Sequence, residues 1–368
     1  MDLLSYMVPI TVYVCGLFFE VAYTKVGIDK VEEREKLRNK MNIWIGVLIF
    51  LIAALRGPGT GLDTGQYYSI FKRIMLENQP VSYYWNVVIN GIKTGTFADG
   101  MFWNLFMKLA SYVIRDAQIW LAFVSFLYLY SVYTVIDKYS DDPAISWLYI
   151  YFVFIFTFIL QGLRQSVAMA CVMRSFYYII EKKPKKFAML MGIAFLFHQS
   201  SIIFVIAYPL SKLKMNKGLL IAMVVAALCR FAPSVVLNLL GSVSENSRFA
   251  YYANQITSLS WSAFFIQLAI FAFCYYYREK DYERSELMTV LLNFSVMGMI
   301  FQSMTVIIAE MFRVSYYFNM FNMLLLANTC KGLGGEKYNQ RYRIGVITLL
   351  FTYYLISGVY KYWFFWQR

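Results

Sequence analysis

The chain alternates between apolar runs of roughly twenty residues and short segments rich in lysine, and this pattern constrains its fold more than any other feature. A run of that length can cross a bilayer only as a helix, because lipid offers no partner for backbone N–H and C=O groups. Such runs lie at about 3–23, 41–55, 117–136, 144–162, 165–180, 187–210, 218–240, 261–277, 287–309, 313–330 and 344–360. With 60% hydrophobic and 15% charged residues, the chain is more apolar than soluble domains, which average about 45–50%. The expected fold is therefore an all-α polytopic membrane protein, a single transmembrane domain over 1–368 with about 11–12 segments. No internal repeat is visible. The first run has no basic n-region and no small-residue cleavage site, and reads as a span rather than a removed signal. Cys15, Cys171, Cys229, Cys274 and Cys330 all fall inside apolar runs, so neither a disulfide framework nor a zinc site is indicated.

Lysine-rich segments at 25–40, 181–186, 211–217, 278–284 and 331–343 are expected on the cytoplasmic side by the positive-inside rule. That places 56–116 outside as a loop whose mixed aromatic and polar stretches suit amphipathic interfacial helices. Residues 187–210 carry a basic cluster on each flank, which favours a re-entrant helical hairpin turning near 197–201 over a single crossing. With this topology the inner charges are mostly lysine, whereas the outer set holds four lysines and eight arginines. Lysine suffices for anchoring on anionic lipid. The planar guanidinium suits a bidentate grip on phosphate or carboxylate. Arg73, Arg115 and Arg368 read as headgroup or acid partners. Arg56, Arg164, Arg230 and Arg313 stand at or near the outer ends of spans, where an unpartnered charge is costly, and these are the candidates for gripping a phosphorylated ligand.

After Arg56 the stretch Gly57-Pro58-Gly59-Thr60-Gly61 stops the second span and turns the chain along the membrane surface. Asp63 follows at a loop–helix junction, with Thr64 as the expected N-cap of a helix from Gln66. Asp63 reads either as part of a cap or as a reactive carboxylate. His198 is the single histidine, which excludes any site needing two. At the expected hairpin turn, beside Gln199, Ser200 and Ser201, it reads as a packing residue or as a proton-handling group. No Walker loop, dinucleotide fingerprint or nucleophile elbow occurs. Most of the positive charge sits in short inner loops, so no nucleic-acid partner is expected. No metal ligand cluster is present, and neither a metal nor a cofactor is expected.

Taken in order, Arg56 with GLDTGQY (61–67), GLRQS (162–166), HQS (198–200), RFAYY (248–252) and FRVSYY (312–317) resembles the EpsG-type family of Wzy-like bacterial polysaccharide polymerases. The inserted-looking Gly57-Pro58-Gly59 is this chain's departure from the pattern. The resemblance implies an enzyme that joins undecaprenyl-pyrophosphate-linked oligosaccharide repeats into O-antigen, capsule or exopolysaccharide at the outer face of the cytoplasmic membrane. On that basis Asp63 is the base or acceptor-orienting carboxylate, with His198 assisting or taking that role instead. Arg56, Arg164, Arg230, Arg248 and Arg313 contact the pyrophosphate or substrate, and Tyr67, Tyr252 and Tyr317 contact sugar. The expected partners are the lipid-linked oligosaccharide, membrane lipid, and flippase and chain-length regulator proteins. A ligase or another lipid-sugar-dependent glycosyltransferase would share these groups. A flippase would instead show repeat symmetry and intramembrane charge pairs, and beyond Arg174 the sequence displays neither.

Overall fold

The computed structural model describes residues 3–26, 30–61, 63–155, 160, 162–214, 217–231, 261–278, 285–306, 308, 310–333, 336–358 and 361–367. Among these residues there is no strand beyond one isolated bridge, Arg56 to Phe364, and the protein is an all-α polytopic membrane protein. Among the described residues, four helices are each long and apolar enough to cross a bilayer: Leu3–Lys25, Val31–Ala54, Ala117–Tyr139 and Glu286–Val306. The chain divides into two compact units, Met1–Ile202 with Gly334–Arg368, and Ile203–Leu333.

The first unit contains α1 (Leu3–Lys25), α2 (Val31–Ala54), α3 (Thr64–Leu76), α4 (Val81–Thr94), α5 (Asp99–Ser111), α6 (Ala117–Tyr139) and α7 (Pro143–Tyr149), the last continuing as a π-helical segment Ile150–Ile155. After these come α8 (Leu163–Ile180) and α9 (Pro184–Phe197). Helices α2, α6 and α8 pack in series, α9 packs on α8, and α3 and α5 pack on each other against α6 and α9 respectively. The expected external loop is thus three helices, and α3 and α4 are strongly amphipathic. Lys108, one of the four lysines of the expected outer set, is buried in α5 and donates to the carbonyls of Ile74 at 3.3 Å and Glu77 at 2.8 Å, closing the C-terminal end of α3.

Helix α9 stops at Phe197, His198 is extended, and a 3-10 helix (Gln199–Ile206) leads into α10 (Ala207–Leu210). The second unit continues with α11 (Lys217–Phe231), α12 (Trp261–Tyr277), α13 (Ser285–Ser303), α14 (Met311–Asn319) and α15 (Asn322–Gly332). Here α11, α12 and α14 pack around α13, and Phe204, Phe294, Phe318 and Phe321 form its aromatic centre. The run expected as one span over 313–330 is broken at Met320–Phe321 into α14 and α15.

Helix α16 (Glu336–Ser357) returns to the first unit and packs on α1. It begins well before its apolar run because the polar stretch expected as a loop is helical. The reason is a buried ion cluster: Arg343 of α16 pairs with Glu20 of α1 at 3.0 Å and with Asp142, the N-cap of α7, at 3.4 Å. All three side chains are at most 4% exposed. Glu20 and its pairing escaped the sequence reading, so the absence of buried charge pairs no longer argues against a transporter. Arg174, read as lying within a span, is exposed and donates to Thr134 at 3.0 Å. The polar start of α2 is likewise helical, with Lys30–Glu33 and Glu32–Lys36 pairs on its surface.

Arg343→Met leaves two buried carboxylates without their counter-charge, a change that typically costs about 3–5 kcal/mol. A clear fall in the thermal midpoint of the detergent-solubilised protein is expected, with a smaller fall for Glu20→Gln, which leaves Arg343 and Asp142 as a neutral pair.

Candidate functional site

The turn after α2 is shaped around one backbone carbonyl. Gly61 has φ +82°, and a Cβ there would lie 2.4 Å from the Leu160 carbonyl oxygen. Glycine is the residue that tolerates both conditions. Three residues on, the Thr64 hydroxyl donates to the same oxygen at 2.5 Å. Residue 160 lies just before Gly162, the N-cap of α8. The GLDTGQY loop is thereby fastened to the start of the GLRQS helix, although about a hundred residues of chain separate them.

This fastening corrects the expected capping. Helix α3 starts at Thr64, whose hydroxyl is engaged with Leu160, and Asp63 occupies the N-cap position. The Asp63 carboxylate makes no capping hydrogen bond, and among the described residues it has no ion-pair partner. Its backbone carbonyl accepts from Tyr67 N–H at 3.0 Å. A half-buried carboxylate held one turn from Tyr67, with its oxygens uncommitted, is free to accept a proton or a hydroxyl.

Arg164 stands in the first turn of α8 and donates from Nε to the Tyr67 hydroxyl at 3.2 Å. Its Nη1 lies 3.7 Å from where a Cβ on Gly100 would be, at the start of α5. Its two terminal nitrogens make no hydrogen bond among the described residues, so the fork that grips an anion is open. The starts of α3, α5 and α8 therefore meet around Arg164, and none of the three carries a side-chain cap. Uncapped N-termini present free N–H groups and the positive end of the helix dipole, which favours anions.

The HQS segment joins the same cluster. Gln199 donates to the Phe97 carbonyl at 2.7 Å, in the turn leading to α5, and Phe97 and Phe102 lie against Phe195 and Phe197 of α9. His198 is half-buried at the break after α9. Beneath Tyr67 lies a wall of rings: Trp103 at 5.8 Å, itself against Trp120 and Phe106, with Phe71 stacked on Trp120 at 4.8 Å. Periodicity suggested aromatic packing in 56–116, but Trp103 and the Phe97 turn escaped the site prediction. Their roles rest on backbone carbonyls and ring contacts, for which the sequence has no marker.

The remaining candidates are placed elsewhere. Arg56 is 0% exposed, donating to the Ala53 carbonyl and, at 2.8 Å, to Ser125. It is a buried residue in this structure rather than part of the open cluster around Arg164. In the second unit Arg230 is buried under Trp261 at 4.6 Å and donates to Thr305 at 2.8 Å, and Tyr317 is buried as well. Arg313 is about half exposed and pairs with Glu310 at 3.3 Å. Arg248 and Tyr252 lie outside the described residues.

The order of these elements along the chain agrees with the motif order, and the EpsG family model matches residues 41–367. The chain belongs to the EpsG family. Membership of EpsG implies a polysaccharide-polymerase-like function in a membrane protein. No curated protein and no solved structure gives a significant match. The EpsG match takes in the GLDTGQY loop, the start of α8 and the HQS break.

In this EpsG protein Gly61→Ala must push the loop off Leu160, displacing the turn that carries Asp63. Misplacement by about 1 Å costs on the order of 10²-fold in turnover, and a loss of that order in polymer output is expected at normal protein level. Gly95→Ala, also at positive φ (+70°) but with open space around it, is the matched control and keeps output near wild type.

Proposed function

We propose that the protein is a polymerase that joins undecaprenyl-pyrophosphate-linked oligosaccharide repeat units at the outer face of the bacterial cytoplasmic membrane. The observation that carries this reading is the link through Tyr67 between an open guanidinium, Arg164, and the turn that carries the uncommitted carboxylate of Asp63, at a point where three uncapped helix starts converge. A hydroxyl on one repeat attacks the anomeric carbon of the growing chain. The new C–O bond forms as the old one to the pyrophosphate breaks, and the bond electrons leave with the lipid pyrophosphate. The hydroxyl proton passes to Asp63, and negative charge gathers on the leaving group beside Arg164 and the helix N–H groups. No nucleotide is needed, because the donor already carries its leaving group.

Tyr67 fits a positioning role: its hydroxyl holds Arg164 Nε, and its ring joins the aromatic wall on which a sugar face can stack. His198 is the alternative proton acceptor, on a segment tied to the same cluster through Gln199. Burial gives Arg230 and Tyr317 packing roles in the second unit, whereas the exposed Arg313 remains a candidate for substrate contact. A flippase is the rival from another class, and the buried Glu20–Arg343–Asp142 cluster is the feature in its favour. EpsG membership weighs for the polymerase.

Complementation of a polymerase-deficient host tests the reading. Wild type is expected to restore a surface-glycan ladder, and Asp63→Asn to reduce it to single repeats at unchanged protein level. A ladder from Asp63→Asn moves the base to His198, and one transfer without a ladder from wild type makes the protein a ligase. Arg164→Lys keeps the charge but loses the bidentate fork, so a fall in turnover of about 10²-fold is expected with donor binding largely retained.

A further inference from the structure

Outside the Asp63–Arg164 cluster, the most unusual group in the first unit is Arg56. A guanidinium is always charged, yet this one is fully buried. Its Nη1 is engaged, but Nε and Nη2 are buried without a hydrogen-bond partner, and no carboxylate pairs with it among the described residues. A buried charge left in that condition disfavours the state that buries it, and an arriving anion relieves it.

The segment 361–367 runs against the backbone on either side of Arg56. The segment is not helical. Its backbone makes the one bridge among the described residues, Arg56 to Phe364, with Gly57 N–H donating to the Trp363 carbonyl at 2.6 Å and Phe365 N–H to the Leu55 carbonyl at 3.0 Å. Thr60 fastens it from the other side, its hydroxyl donating to the Trp363 carbonyl at 2.9 Å and accepting from Trp363 N–H at 2.8 Å. Tyr362 is buried with its hydroxyl on the Ile52 carbonyl at 2.6 Å. Upstream, α16 ends at Ser357, and Gly358 follows at φ +108° in open space, a residue able to reverse the chain without strain. The segment grips the Gly57–Thr60 turn, which runs directly into Gly61 and Asp63. A hinge, a set of polar fastenings and an unsatisfied charge beside them are the parts of a gate.

We propose that residues 361–367 form a strap that gates Arg56, closed in the structure described here and released when a diphosphate group binds the guanidinium. The inference rests on the reading of the substrate as a lipid diphosphate. In the open state Arg56 joins Arg164 on the anion, and the turn carrying Asp63 is free to adjust. In the closed state the site lacks its second guanidinium, which prevents idle cleavage of the donor.

Amide hydrogen exchange on the full chain in detergent, with inorganic pyrophosphate as probe, tests this. Binding is first established by thermal shift. At saturation, peptides covering 361–367 and 55–60 are expected to exchange faster, on the order of tenfold. Thr60→Val removes both side-chain fastenings without touching Asp63 or either arginine. It is expected to speed exchange of the strap in the absence of ligand and to tighten pyrophosphate binding by roughly three- to tenfold, because the competent state is more populated. Arg56→Gln is expected to abolish the effect of pyrophosphate on the strap. Unchanged or slower strap exchange at saturation, absence of pyrophosphate binding, or weaker binding by Thr60→Val overturns the gate. These outcomes are separable from failure of the polymerase reading, which shows as no ladder from wild type whatever the strap does.

Discussion

One carbonyl, that of Leu160, organises the candidate site. It accepts the Thr64 hydroxyl and occupies the space a side chain on Gly61 would need, so the loop after α2 can settle only against the start of α8. Everything chemical about the cluster follows from that contact. Thr64 is drawn away from capping, Asp63 is left at the N-cap position with an uncommitted carboxylate, and Tyr67 comes one turn later to hold Arg164. A conventional cap at Thr64 would have made α3 locally more satisfied and the site less reactive. Local conflicts of this kind concentrate at functional sites.

The other end of the first unit is governed by charge rather than by shape. Arg343 sits between Glu20 and Asp142, and the three side chains tie α1, α7 and α16 together where each would otherwise carry a buried, uncompensated group. This explains why polar residues at the start of α16 are helical instead of forming a loop. It also separates the functions of the unit's ends. The ion cluster fixes the helices, and the loops at the far ends of α2 and α8 are free to carry chemistry.

Much of the fold was legible in the sequence. The apolar runs at 3–23, 117–136 and 261–277 appear as helices with nearly the same bounds, and the break at His198 falls where polar residues interrupt the run 187–210. The starts of α2 and α16 were misjudged, because charged residues that look like loop are helical when paired along a helix face or buried against opposite charge. Of the candidate site residues, Asp63, Tyr67 and Arg164 are legible from residue type and motif, and in the structure Tyr67 bonds both the Asp63 backbone and the Arg164 guanidinium. Arg56 belongs to the same motif but is fully buried, and its backbone pairs with residue 364, beyond the last apolar run.

The sequence by itself determined that the chain is helical, embedded in lipid and equipped with arginines suited to phosphate. Those properties follow from composition and from the demand that backbone groups in a bilayer bond within their own segment. Only the tertiary structure decided which arginine is open, which is buried, and which three helix starts come together around the open one. Such choices depend on backbone carbonyls at residues 97, 160 and 363, whose hydrogen-bonding capacity is the same for every residue type and leaves no trace in the sequence.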